Sequence, residues 1–446
     1  MGKFRSYFAK RKKQEFREHG KVAVILVAGA MGSRLYRRQL GQKLKGVWDP
    51  DRKLMVMYGL TKKTAVVKRR VLGPDATLEV AEDWSGGPDY AEARGWGGPA
   101  KSVYGDLLKG LDKRKKKFKR WEVEVHAYGY DWRMSNEVAG RGLAERIDSI
   151  CDKGDKKKPD EAILVTHSMG GTVARCCCFM SGKADIKDKI LGVIHVVQPA
   201  MGAPVLYRRF KLGANAEDDG GAFSKIIGTT PEDFATLGGA MKSCTELLPT
   251  KDYRPPGTGS RWLSWNKDLV GEKVDLGDNV FDLYADCKGH IGLVPELWLD
   301  PNLPTALKPF KDKFENWKKM LLSNIKDAGA FHDELGSQMH PNTYILASSD
   351  LKTDLSIRLD SLDKSVYPHR VRARHVMLES GDGTVPITSQ LGPLPDKAKK
   401  SKKHKSQIVS KIEHSKVFKD SKVREQIYSW VQDILDDEDR AKGRLK

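Results

Sequence analysis

The chain has 446 residues, enough for one large α/β domain with insertions or for two domains, and enough to bury a sizeable core. Lys and Arg number 79 against 59 Asp and Glu, a formal net charge of +20 that favours anionic partners (phospholipid surfaces, nucleic acid, acidic proteins) and carries no information about fold. No apolar run is long enough to span a bilayer; the early one, 22–31, has ten residues and reads as a core strand.

Residues 1–21 form a basic arm containing Lys10, Arg11, Lys12 and Lys13. No apolar stretch with a cleavage site follows, so no Sec leader and synthesis in the cytoplasm are expected. Residues 21–27 are a buried strand running into Ala28-Gly29-Ala30-Met31-Gly32-Ser33-Arg34-Leu35. A glycine-bearing loop after an early strand is where serine hydrolases of the α/β type place an oxyanion donor. Gly29-x-x-Gly32 matches neither the dinucleotide fingerprint nor the P-loop, which argues against phosphate cradling.

Residues 73–100 are rich in Gly, Pro, Asp and Trp and read as a long loop of the kind that forms lids. A helix is expected over 102–111, then a dense basic run at 113–120 and an alternating strand at 121–128. Tyr130-Asp131-Trp132-Arg133 follows at the carboxyl end of that strand, where α/β folds keep their working residues. A helix over 136–151 leads to the apolar strand 162–165.

Thr166-His167-Ser168-Met169-Gly170-Gly171 then turns from strand to helix. A serine on such a turn is a nucleophile elbow: small neighbours tolerate the strained backbone and the hydroxyl stands clear of it. Thr166 takes the place of the first glycine of G-x-S-x-G. Another strand at 189–197 completes a strand–helix alternation that argues for a parallel sheet with right-handed crossovers.

Regularity breaks after about residue 205. Residues 307–328 read as an amphipathic helix with Phe310, Phe314, Trp317, Met320, Leu321 and Ile325 on its apolar stripe, a spacing that suits core packing. Strands resume at 344–348 and 375–378. The stretch 397–405 holds six lysines in nine residues and reads as an exposed, mobile loop. An amphipathic helix over 417–435 closes the chain.

The six cysteines (Cys151, Cys176, Cys177, Cys178, Cys244, Cys287) contain no C-x-x-C pair and read as reduced thiols, with Cys244 and Cys287 the pair for which a disulfide stays open.

A serine nucleophile needs a base in hydrogen-bond reach and an acid to orient it, in the α/β-hydrolase order Ser, Asp or Glu, His. The base belongs before the closing helix, which leaves His404 and His414. His404 sits in the lysine run, where positive potential disfavours a protonatable imidazole, so His414 is the candidate base. Asp382, between Gly381 and Gly383 at the end of a strand, is the candidate acid; Asp396 and Glu379 are weaker ones. Backbone N–H groups of Met169 and of Ala30, or Met31 beside it, are the candidate oxyanion donors. His167 is read as a structural residue of the turn.

Taken together, the 27–35 loop, Tyr130-Asp131-Trp132-Arg133, His167-Ser168-Met169-Gly170, Gly381-Asp382-Gly383-Thr384-Val385-Pro386 and Glu413-His414 resemble the lecithin:cholesterol acyltransferase and lysosomal phospholipase A2 family of α/β-hydrolases. The resemblance covers roughly 22–250 and 340–435, with Ala28 where the family has a proline. It implies an α/β-hydrolase core at 22–250 and 341–446, with Ser168 as nucleophile, Asp382 as acid and His414 as base; the segment 251–340, which the resemblance does not match, is read as a cap or lid insertion. Ala30 and Met169 would then be the oxyanion amides, and Met31, Tyr130 and Trp132 candidate substrate contacts. It further implies hydrolysis of acyl esters of lipids, or acyl transfer to an alcohol, without metal or organic cofactor.

The basic runs at 113–120 and 397–405 are expected to favour adsorption to anionic membranes. They lack the interleaved aromatics and motifs of a specific nucleic-acid binder. Rival readings keep the triad for a soluble ester, amide or thioester, or make the chain a non-catalytic binder on a hydrolase scaffold. The absent leader, reduced thiols and positive charge fit a bacterial lipase delivered by a signal-independent secretion system.

Overall fold

The computed structural model describes residues 20–39, 42–52, 60–118, 120–214, 222–255, 262–266, 269, 280–286, 290–294, 314–363, 365, 370–393 and 404–445. Residues 1–19 of the basic arm and lysines 397–403 lie outside these residues, as do Asp396, Cys287 and the start of the 307–328 segment. Among them the strands are, in chain order, β1 (Lys21–Val27), β2 (Leu35–Gln39), β3 (Gln42–Trp48), β4 (Glu79–Val80), β5 (Glu122–Tyr128), β6 (Glu161–His167), β7 (Ile190–Val196), β8 (Leu263–Trp265), β9 (Thr343–Ser349), β10 (Leu351–Asp363), β11 (Arg370–Gly381) and β12 (His404–Ser410).

The central sheet has the order β12-β9-β7-β6-β1-β5, and every pairing in it is parallel. Its middle strands are unbroken apolar runs because helices cover both faces. All six residues from Val22 to Val27 are fully buried, and so are Ala162, Ile163, Leu164 and Val165. The covering helices Lys101–Arg114, Asn136–Ile150, Gly170–Phe179 and Ser421–Ala441 present apolar stripes such as Leu107, Leu108 and Leu111 or Val423, Ile427, Val431 and Ile434. The sheet is that of an α/β-hydrolase, as the alternation of strand and helix predicts.

Because the strands run parallel, one edge of the sheet gathers every carboxyl end. The first glycine loop leaves β1 there and the serine turn leaves β6 there. Two excursions depart from the same edge. One, after β7, passes through the helices Pro204–Leu212, Pro231–Gly238 and Lys242–Glu246 toward β8 and the helix Phe314–Leu335. The other is the antiparallel hairpin β10–β11, which pairs in parallel with β8 and forms its own three-stranded sheet. A second apolar cluster fuses the two excursions: Tyr207, Phe210, Tyr253, Trp262 and Tyr284 pack with Leu321, Ile325, Ile357 and Leu359.

The structure differs from the sequence reading in several places. Strand 375–378 exists within β11, but in the hairpin sheet, outside the central one. His404 and Lys405 open the edge strand β12 instead of ending a loop. The stretch 73–100 is a loop built into the wall. Trp96 is fully buried edge-on against Trp84, its indole N–H donating to the Val125 carbonyl at 3.0 Å, and Arg34 holds Asp83. Cys244 is a free thiol. No helix among the described residues is long and apolar enough to cross a membrane.

Candidate active site

Ser168 stands between β6 and the helix Gly170–Phe179 with φ +51°, a left-handed conformation that costs a non-glycine residue on the order of 1–3 kcal/mol and persists only where packing imposes it. Two features impose it here. The Ser168 N–H donates to the Val196 carbonyl at 3.0 Å, and the Gly171 N–H reaches back to the Ser168 carbonyl at 2.9 Å. Gly170 is needed because a Cβ there would lie 2.6 Å from the Ala28 carbonyl oxygen and 2.7 Å from that of Val27. The helix therefore docks directly on the first loop. Ser168 is 7 % exposed, so little of the residue meets solvent.

Asp382 follows the last residue of β11. Its Oδ1 accepts the N–H groups of Thr384 at 2.9 Å and Val385 at 2.7 Å, which close the tight turn that Gly383, at φ +89°, permits. Its other oxygen, Oδ2, is left to face His414 Nδ1 at 2.6 Å. His414 Nε2 lies 2.8 Å from Ser168 Oγ. The three side chains, separated by 214 and 32 residues in sequence, thus form one continuous hydrogen-bonded chain in the order Asp382, His414, Ser168. With the carboxylate accepting from Nδ1–H, Nε2 is the unprotonated nitrogen and accepts the Ser168 hydroxyl proton.

The candidate oxyanion amides flank this serine. Met169 is fully buried at the helix N-terminus, and Ala30 is exposed in the first loop. No protein group among the described residues accepts a hydrogen bond from either amide. The first loop is held in shape by Met31, at φ +57°, whose carbonyl accepts the Trp48 indole N–H at 2.7 Å. Met31 is half-buried and touches both apolar clusters, at the seam between the sheet and the excursions above it.

Tyr130 and Trp132 are each 4 % exposed, and their polar atoms are committed to the backbone of the first loop. The Tyr130 hydroxyl donates to the Ala28 carbonyl at 2.9 Å, and the Trp132 indole to the Ser33 carbonyl at 3.3 Å. Arg133, fully buried, pairs with Asp131 at 2.6 Å and donates to the carbonyls of Gly73 and Ala76. The Tyr-Asp-Trp-Arg stretch therefore braces the loop that carries Ala30.

Sequence reasoning missed several supports. Ser348 donates to the Ile412 carbonyl at 2.7 Å and fixes the approach to His414; Thr353 accepts the Gly383 N–H at 2.9 Å. Tyr104 lies within 2.9 Å of His167 Nδ1, and Phe418 packs against both rings. The alternation of Leu355, Ile357 and Leu359, all buried, is a period-two signal that could have revealed β10. Tyr104 leaves no such signal.

The family model for lecithin:cholesterol acyltransferase matches residues 103–251, a segment that holds Tyr104, the Tyr-Asp-Trp-Arg stretch and Ser168 but neither Asp382 nor His414. A chain of the crystal structure of the Tle4–Tli4 complex is similar at 19 % identity and a TM-score of 0.72, over 93 % of this chain and 99 % of that one. Phospholipase PlaB from Legionella pneumophila aligns over 93 % of this chain and 59 % of that one at 12 % identity and a TM-score of only 0.31. The uncharacterized protein YJR098C of Saccharomyces cerevisiae is 32 % identical over 78 residues, which is 18 % of this chain. That match spans only 11 % of the yeast protein's length.

Proposed function

We propose that this lecithin:cholesterol acyltransferase-like α/β-hydrolase is a serine ester hydrolase acting on acyl esters of lipids, with Ser168 as nucleophile, His414 as base and Asp382 as acid. The observation that carries the reading is the Asp382–His414–Ser168 chain at 2.6 and 2.8 Å, at the carboxyl edge of the sheet. Ser168 Oγ attacks the ester carbonyl carbon while its proton passes to His414 Nε2. The resulting imidazolium is stabilised by the Asp382 carboxylate. The carbonyl oxygen, now an anion, takes the N–H groups of Ala30 and Met169; one such donor is worth on the order of 10²–10³ in rate. Collapse returns the proton to the leaving alcohol and leaves an acyl-serine. Water, or an acceptor alcohol, deprotonated by His414, releases the acid or a new ester. The lipid character of the substrate rests on the family-model match.

In this reading the 251–340 segment and the β10–β11 hairpin act together as the cap, since one apolar cluster joins them. Their displacement from Met31 opens the path to a serine that is 7 % exposed.

The basic runs keep their expected part in adsorption to anionic surfaces, and the position of their described lysines bears on how adsorption would orient the site. The described residues of run 113–120 precede β5 and Lys405 lies at the start of β12, so these lysines stand at the amino edge of the sheet. A seven-residue strand is about 23 Å long, and adsorption through these lysines turns Ser168 away from the surface. We propose that they do not deliver lipid to the site.

The test is hydrolysis of phospholipid vesicles, followed by mass analysis of the products with and without an alcohol acceptor, alongside labelling by a fluorophosphonate. Wild-type protein should release fatty acid and label at Ser168, and Ser168→Ala should do neither. Hydrolysis by Ser168→Ala would overturn the assignment, and turnover of soluble esters alone would move the substrate class.

A further inference from the structure

Behind the triad runs a second hydrogen-bonded chain, buried at Gly29, Tyr104 and His167. The Gly29 N–H donates to the Tyr104 hydroxyl oxygen at 2.8 Å. That hydroxyl lies 2.9 Å from His167 Nδ1. His167 Nε2 lies 3.1 Å from the His414 carbonyl oxygen. Both ends have a fixed polarity, because a backbone N–H can only donate and a carbonyl can only accept. His167 must therefore carry its proton on Nε2 and give it to the His414 carbonyl. Nδ1 must accept, and the Tyr104 O–H must donate to it. One direction satisfies every group, and it requires a neutral imidazole.

The chain ties together three segments far apart in sequence: the first loop at Gly29, the serine turn at His167, and the base at His414. The successive links Gly29 to Tyr104, Tyr104 to His167 and His167 to His414 span 75, 63 and 247 residues. Gly29 adjoins Ala30 and approaches so closely that a Cβ on it would lie 3.0 Å from Ser168 Cβ. Phe418, in the turn after His414, packs on the His167 ring at 5.3 Å and the Tyr104 ring at 5.8 Å, so the three rings are locked sideways as well. Burial, with the neighbouring His414, holds the His167 pKa down to about 3, in keeping with the neutral form.

We infer that Tyr104 and His167 are positioning residues, a relay that sets the oxyanion amide of the first loop in register with the base His414 across Ser168. Neither touches the reacting atoms. The inference rests on the proposed triad, and it adds that the triad's geometry is held from behind through one imidazole tautomer. A shift of any of the three segments is transmitted to the other two, because the intervening groups have no alternative partner of the right polarity.

The experiment has three readouts. Fluorophosphonate labelling of the wild-type protein at Ser168 tests the triad by itself; if it does not label, the proposed function fails and the relay with it. Given labelling, Tyr104→Phe keeps the ring and loses the O–H, and His167→Gln keeps a donor for the His414 carbonyl. On a soluble short-chain ester, Tyr104→Phe should lower kcat about tenfold with KM changed less than twofold. His167→Gln should retain more activity than His167→Phe. The double variant should lose no more than the worse single one, since both cut the same chain. Unchanged kcat in Tyr104→Phe, or multiplicative losses, would overturn the relay while leaving the triad standing. Because a variant can fail to fold, the wild-type protein is also examined by histidine nitrogen NMR. The His167 ring should show Nε2–H and bare Nδ1, without titration between pH 5 and 8. An Nδ1–H tautomer, or titration in that range, overturns the proposal.

Discussion

His414 and Asp382 are joined twice: Nδ1 meets the Asp382 carboxylate at 2.6 Å, and the His414 backbone N–H donates to the Asp382 carbonyl at 3.0 Å. The main-chain bond sets the distance between the two loops, so the side-chain pair does not have to maintain it alone. Asp382→Asn should therefore fold. Its retained oxygen can keep the Thr384 and Val385 amides, which places the NH₂ toward His414 Nδ1. That NH₂ cannot accept a proton, so His414 must present bare Nδ1 to it and carry its own proton on Nε2, where it no longer acts as a base. We expect kcat to fall ~10⁴-fold with little change in thermal unfolding. A variant retaining a tenth of the activity would remove Asp382 from its role.

Gly29→Ala offers a steric test of the same site. The new methyl would lie 2.9 Å from His167 Nδ1 and 3.0 Å from Ser168 Cβ. Both neighbours are themselves buried and tethered, so the first loop has to move, and Ala30 moves with it. A misplacement of about 1 Å can cost on the order of 10² in rate. Crowding of this kind costs roughly 1–3 kcal/mol of stability. Steady-state kinetics on a soluble ester, with a denaturant titration alongside, should show both. Wild-type kcat would mean that the first loop does not contribute to the oxyanion site.

These two sites mark the division between what the chain discloses by itself and what it does not. β1, β6 and β7 are legible because a parallel strand buried on both faces must be an apolar run. Ser168, Asp382 and His414 are legible because chemistry restricts residue type and fold restricts order. The β10–β11 hairpin is legible only in part: 375–378 reads as a strand, but the first half of β11, with arginines at 370, 372 and 374, is too polar to read as a core element, so the pairing with β10 stays hidden. Tyr104 is hidden for a different reason. A tyrosine on an amphipathic helix has the same appearance whether its hydroxyl meets solvent or a histidine 63 residues away. The position of the basic runs could be read only once the strands had a direction.

Stability should depend on pH through buried groups outside the triad. Burial holds both His167 and His195 down to about 3. A depressed value means that the stability they lend is complete above the unfolded pKa, about 6.5, and is lost as pH falls from there toward 3. Each costs ~1.4 kcal/mol per pH unit in that window. Glu246 opposes them. Its carboxylate is buried and accepts the Asn136 N–H at 2.8 Å, yet burial outweighs these bonds and raises it to about 7. A raised value means stability is complete below the unfolded value, about 4.5, and is lost as pH rises toward 7. Acidification from 6.5 to 4.5 therefore removes the histidine contribution while relieving Glu246, and below 4.5 the relief ends. Urea titrations should show a shallow loss above pH 4.5 and a steeper one below it. Glu246→Gln should make the upper segment as steep as the lower. A wild-type profile that is flat from pH 6.5 to 4 would contradict the neutral burial of the two histidines.

The orientation of the basic edge leads to a prediction at odds with simple charge attraction. Lys113, in the last turn of the helix Lys101–Arg114, and Lys116 and Lys117, in the turn that follows it toward β5, are exposed, while the serine turn leaves β6 at the other edge of the sheet. Reversing these three charges to Glu should weaken the salt-dependent retention of the protein on anionic vesicles, because surface charge attraction is long-ranged and screened within about 10 Å at 0.1 M salt. It should leave the rate of vesicle lipid hydrolysis within about twofold once that rate is referred to the cap-side encounter, measured on zwitterionic vesicles. The neighbouring cations are already engaged, Arg114 with Glu425 and Arg120 with Asp436 at 3.2 Å, so the substitution leaves those pairs in place. A loss of tenfold or more on zwitterionic vesicles, with a soluble ester unaffected, would mean that lipid reaches Ser168 from the amino edge. The cap would then have to admit substrate by a route that runs around the sheet instead of past Met31.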